Sequence, residues 1–142
     1  MSARHKARKR ALDILFESHI RGVDPLGVLA DRQAVADVVV NPYTAELVQG
    51  VAAHREQIDA TIAQFARGWD LDRMPTADLC ILRIATYELR HRDDVPASVA
   101  ISEAVELAQD LSTDESAVFV NGVLGSVALA TPGTPPPGST TL

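Results

Sequence analysis

Hydrophobic positions recur every three or four residues over most of this chain, and prolines cut the recurrence into segments. In KARKRALDILFESHI, Ala7, Ala11, Ile14 and Leu15 share one face, which predicts a first helix over residues 4–20. The turn RGVDP leads to a short second helix over residues 25–35. Asn41 reads as a cap and Pro42 as the first position of a long third helix, whose stripe is Leu47, Val51, Ile58, Ile62 and Phe65 and which is expected to kink near Gly50. After the loop GWDLDRMP, Thr76 is expected to cap ADLCILRIATYELRHR, a segment apolar on almost every side and therefore central in the packing. A fifth helix places Ile101, Ala104, Val105 and Ala108 inward and Glu103 and Glu106 on its other face. Ser112 and Glu115 have the spacing of a capping box and open a sixth helix through FVNGVLGSVALA, where Gly122 and Gly125 are expected to admit another backbone closely.

No stretch alternates with period two, and aromatic residues make up only 4% of the chain, so the pattern predicts an all-α fold, a single-domain helical bundle. At 142 residues the chain is long enough for one core without covalent staples. The domain is expected over residues 1–131, with a basic arm at 1–10 and a disordered proline-rich tail, PGTPPPGSTTL, at 132–142. The single cysteine, Cys80, lies in the apolar run LCILRIA and reads as a buried thiol in a reducing compartment. Arg83 in the same helix must reach a carboxylate or solvent, since an unpaired buried charge is costly. With no 18-residue apolar stretch and no signal-peptide pattern, the protein is expected to be soluble and cytoplasmic.

Charge changes this picture at one end. The formal net charge is -6, from 13 Lys+Arg against 19 Asp+Glu, yet residues 1–10 hold Arg4, Lys6, Arg8, Lys9 and Arg10 and no acid. The later helices obey the dipole rule, with Asp114 and Glu115 at a start and Arg90, His91 and Arg92 at an end. Only the first helix breaks it, placing five cations where the unpaired N–H groups already create positive potential. Because the charges surround its first two turns, that end is expected to project from the bundle and bind a polyanion, with RNA phosphates and splayed bases as targets for the arginine forks.

Other signals carry less. HRDD at 91–94 matches a kinase catalytic loop, but the glycine-rich loop and the other kinase motifs are missing. His5, His19, His54 and His91 have no metal-ligand spacing, and the pair Asp93–Asp94 reads as a solvated turn with no nucleophile nearby. Neither catalysis nor a cofactor is expected.

Four stretches, RHKARKRALDILFE, ILRIATYEL, DVPASVAISEAVELA and FVNGVLG, occur in an order and spacing that resembles the NusB family of bacterial transcription antitermination factors, over roughly residues 4–128. The resemblance implies two packed small helical bundles and a non-catalytic protein that binds the boxA element of nascent ribosomal RNA transcripts. It also implies a partner, NusE, a small-subunit ribosomal protein that acts in the transcription elongation complex. Carried over by position, the RNA-binding residues are Arg4, His5, Lys6, Arg8, Lys9 and Arg10, with Phe16 standing where family members commonly have tyrosine. DESAVF resembles a second RNA-facing segment, giving Glu115, Ser116 and Phe119, and Asp78 matches a NusE contact. Ser102 replaces an asparagine common in the family, so RNA preference is expected to shift. Two other readings remain: an RNA-targeting module like those fused to ribosomal RNA cytosine methyltransferases, and a helical adaptor that binds only protein. Some family members form homodimers, and GVLGSVALA fits helix pairing between subunits as well as it fits core packing.

Overall fold

The computed structural model describes residues 2–130. Seven α-helices follow one another: α1 (Ala3–Arg21), α2 (Pro25–Gln33), α3 (Pro42–Ala53), α4 (Arg55–Phe65), α5 (Thr76–His91), α6 (Ala97–Leu111) and α7 (Asp114–Ala130), with a 3₁₀ turn at Leu71–Arg73. No strand occurs among the described residues. The expected tail at 132–142 lies outside them. Among the described residues, no helix is long and apolar enough to cross a membrane.

Helix α5 is the hub. Its residues from Asp78 to Glu88 are buried without interruption, and it packs against α1 and α3 on one side and α4, α6 and α7 on the other. The two groups are the small bundles expected: α1–α3, and α4, α6 and α7, with α5 shared between them. A helix apolar all round must be enclosed on every face, which is why ADLCILRIATYEL ends up central. Arg83 satisfies its charge in place, donating Nε and Nη2 to the two oxygens of Asp59 on α4 at 2.8 and 3.1 Å. Cys80 is fully buried, and burial pushes its thiol up to about 11.

Several local expectations are corrected. The long third helix does not kink at Gly50; it ends at Ala53 and restarts at Arg55, with His54 between them in a non-helical conformation and its ring stacked 3.9 Å from that of His91. The stripe Leu47, Val51, Ile58 and Ile62 stays buried across the break. Gly50 serves packing instead: a Cβ there would lie 2.2 Å from the ring of Tyr87. Gly50→Ala is therefore expected to destabilise, since overpacking costs about 1–3 kcal/mol and exceeds the roughly 1 kcal/mol gained in helix propensity. A urea midpoint equal to the parent's would show that the Tyr87 ring can move aside.

Gly122 and Gly125 do not admit a backbone; nothing lies within 4 Å of where their Cβ atoms would be. Thr76 is not a cap but the first helical residue, after Pro75, which has no side-chain acceptor to offer. The capping-box reading of Ser112 and Glu115 is one residue out. Thr113 Oγ1 accepts from the Ser116 N–H at 3.0 Å, and Glu115 is exposed. This last shift has a simple cause: adjacent Ser and Thr residues are interchangeable as caps until backbone geometry selects one.

Candidate nucleic-acid interface

The first turns of α1 do not project, contrary to the sequence expectation. Ser2 caps the helix by accepting the His5 N–H at 3.0 Å, and His5 and Arg8 are buried at 3% and 2% exposure. The α1 helix lies along α3 and α5, so positions 5, 8, 12 and 15 face the bundle whatever their polarity. Burial of a guanidinium and an imidazole is tolerated because acids from later in the chain meet them.

Arg8 is held by Glu88 of α5, itself only 1% exposed: Nε donates to both carboxylate oxygens at 3.1 Å and Nη2 to one at 2.9 Å. Tyr43 of α3 donates its hydroxyl to the same carboxylate. Burial works to lower the Arg8 pKa, but the hydrogen bonds and attraction to Glu88 outweigh it and the net shift is upward. Burial, then the bond to Glu88, raises the Tyr43 phenol. His5 Nδ1 meets Glu103 of α6, and Arg8 Nη1 lies 3.5 Å from the other oxygen of Glu103. Nearer the surface, Arg4 pairs with Asp94 at 3.0 Å, and Arg92 binds Asp94 through two bonds at 2.9 Å and also reaches Glu46. Those arginines, Arg92 first and Arg4 second, hold the Asp94 carboxyl well below the usual carboxylate range. The guanidinium carbons of Arg4, Arg92 and Arg8 stand 4.5, 5.1 and 5.7 Å from the centre of the Tyr43 ring, an aromatic hub for three cations.

The basic arm is thereby divided by helix face. Arg4, His5 and Arg8 fasten α1 to α5, α6 and the loop between those two helices. Lys6, Lys9 and Arg10 are exposed, and none forms an ion pair among the described residues. They are an outward positive row on a helix whose other face is clamped. Phe16 lies further along α1 at 40% exposure.

A second group forms around the start of α7. Ser116 is buried and donates to Asp78 Oδ2 at 2.7 Å, while Glu115 is exposed and Phe119 half-buried. Trp69, from the loop before the 3₁₀ turn, packs its half-exposed ring against Phe119, centroids 5.8 Å apart. Trp69, Met74, Pro75, Asp78, Glu115 and Phe119 line a shared groove. Asp78 is 3% exposed, and its Oδ1 has no hydrogen-bond partner among the described residues. The structure thus joins Asp78, Glu115, Ser116 and Phe119 in one place, with Asp78 and Ser116 turned inward and joined to each other. Both groups are anchored on α5, Asp78 near its start and Glu88 near its end, about 15 Å apart along the axis at 1.5 Å per residue.

Sequence reasoning missed Tyr43, Glu88, Asp94 and Trp69. Only Trp69 left a signal: a lone tryptophan in the polar loop RGWDLD is an aromatic with no local reason to be there.

Comparison with known proteins identifies the family and the fold. The model of the NusB family matches residues 5–129. A relative from Acidothermus cellulolyticus, named transcription antitermination protein NusB, is 58% identical over 141 residues and covers 97% of each chain. Among solved structures, T. maritima NusB superposes with a TM-score of 0.82 at 28% identity, covering 94% of both chains. A chain from a crystal structure of antitermination factors NusB and NusE in complex with dsRNA shares the fold, with a TM-score of 0.76 at 23% identity over 91% of this chain and 99% of that one.

Proposed function

The chain belongs to the NusB family of transcription antitermination proteins, and from that premise we propose that it binds the boxA element of nascent ribosomal RNA together with NusE. The observation that carries this reading is the outward row of Lys6, Lys9 and Arg10, left without carboxylate partners beside cations that are fully matched. A protein with 19 acidic and 13 basic side chains has acid to spare, so exposed cations clustered on one helix face are suited to an anion from outside.

In this reading the outward row supplies affinity by neutralising phosphates, with Arg4 at its edge and Phe16 offering a ring to an unstacked base. His5 and Arg8 act from beneath, holding α1 so that the row keeps its spacing. At the other end of α5, Phe119 belongs with Glu115 and Ser116 to the second RNA-facing segment, and Asp78, whose Oδ1 has no hydrogen-bond partner among the described residues, is the contact for NusE. Glu115 at the rim repels phosphate and favours base amino groups, which adds sequence readout. The function is non-catalytic and takes place within the transcription elongation complex in the cytoplasm.

The test is fluorescence anisotropy with labelled boxA RNA and a scrambled RNA of equal length, each with and without NusE, over a range of salt. Contact with about four phosphates of single-stranded RNA gives a log–log salt slope of roughly −3. Preference for boxA that strengthens when NusE is added is the expected result. Equal binding of both RNAs, unchanged by NusE, would overturn the boxA reading, and binding of neither would leave the protein-only adaptor as the better description.

A further inference from the structure

The chain has no histidine or cysteine run with ligand spacing, yet the fold assembles a ligand set from two distant helices. His5 in the first turns of α1 and Glu103 and Glu106, one turn apart on α6, bring an imidazole nitrogen and two carboxylate oxygens within 4.8 Å of one another. We propose that these three side chains bind a divalent transition-metal cation of the zinc class at the junction of α1 and α6.

The donor set suits such an ion. One imidazole and two carboxylates are nitrogen and oxygen ligands that Zn²⁺ accepts, and three protein ligands leave a fourth position for water. Nδ1 of His5 is the atom turned toward the acids, in contact with Glu103 and 3.9 Å from Glu106 Oε2. The Glu106 side chain is 53% exposed, so it can swing the short distance that closes the site and leaves an entry path. Glu103 is oriented from behind: its second oxygen lies 3.5 Å from Arg8 Nη1, and Arg8 is fixed by Glu88. Such outer partners are what hold a ligating carboxylate in place.

The electrostatics point the same way. Two carboxylates one turn apart on α6 repel each other, and a dication between them reverses that repulsion. Nδ1 of His5 donates to the Glu103 carboxylate, which only accepts, so the neutral ring carries its proton there, and a cation bound at Nδ1 shifts that proton to the buried Nε2. With the proton on Nε2, the Nδ1 lone pair faces two acids, an arrangement that a cation makes favourable.

The full-length protein, stripped with chelator, should be titrated with Zn²⁺ against a chromophoric competitor at pH 7 and with Co²⁺ as a spectroscopic probe. One equivalent is expected, and Co²⁺ should give the visible bands of a low-coordinate site. Glu106→Gln and His5→Gln should each weaken binding by at least the roughly 10–100-fold that removal of an outer-shell partner costs. Circular dichroism should be unchanged for Glu106→Gln, whose side chain is largely in solvent. His91→Gln, at the separate His54–His91 stack, should bind as the parent does. If the parent takes up no Zn²⁺, or if Glu106→Gln and His5→Gln bind it like the parent, the cluster is a hydrogen bond between His5 and Glu103 and nothing more.

Discussion

Replacing Glu88 with alanine is expected to remove about 3–5 kcal/mol of stability, the usual cost of taking away one member of a buried ion pair. The carboxylate accepts three bonds from Arg8 and one from the Tyr43 hydroxyl in a site nearly closed to water. Removing it leaves a guanidinium that cannot lose its proton and a phenol with no acceptor. Relief from Glu103, 3.5 Å from the far side of Arg8, is partial because that acid already meets His5. Since domains are typically stable by only about 5–15 kcal/mol, about a fifth or more of the total is at stake. Replacing both partners, as in Arg8→Met with Glu88→Leu, should cost less than Glu88→Ala alone, because no charge is stranded. Urea unfolding followed by circular dichroism measures both variants against the parent, and a Glu88→Ala midpoint at the parent value would mean that water reaches Arg8.

The triple substitution Lys6→Gln, Lys9→Gln, Arg10→Gln is expected to act in the opposite way, leaving stability almost untouched and RNA binding badly weakened. Exposed substitutions usually stay within about 0.5 kcal/mol, and these three side chains have no ion-pair partners to strand. If each neutralises one phosphate of single-stranded RNA, the salt slope should become shallower by about 2, at roughly 0.7 for each phosphate no longer neutralised. The change should fall on boxA and scrambled RNA alike, because phosphate contacts carry no sequence. An unaltered slope in a folded triple variant would move the RNA to another face. Paired with the Glu88 result, it separates cations that build α1 from cations that use it.

The helices were legible because apolar periodicity reports local geometry, and α5 was recognisable as central because no face of ADLCILRIATYEL could be left in water. The break at His54 was hidden for the same reason: Leu47, Val51, Ile58 and Ile62 keep their phase across it, so the pattern gives no sign that the backbone stops. The basic arm was legible as a cluster of charge and illegible as a structure. The acids that meet Arg4, His5 and Arg8 stand 80 to 98 positions later, and no local rule connects Arg8 to Glu88 or His5 to Glu103. The groove at the start of α7 shows the same limit. Glu115, Ser116 and Phe119 are neighbours in sequence, but Trp69 and Asp78 join them only through the packing of α5 and the loop before it.

That long separation also sets a timetable. Residues 1–10 leave the ribosome well before the acids that fasten them, at positions 88, 94 and 103, have been made. At about 5–20 residues per second, the basic arm spends several seconds as an unmatched polycation. During that interval Arg4, His5 and Arg8 are as exposed as Lys6, Lys9 and Arg10, so the division of the arm into clamped and outward cations waits for α5 and α6.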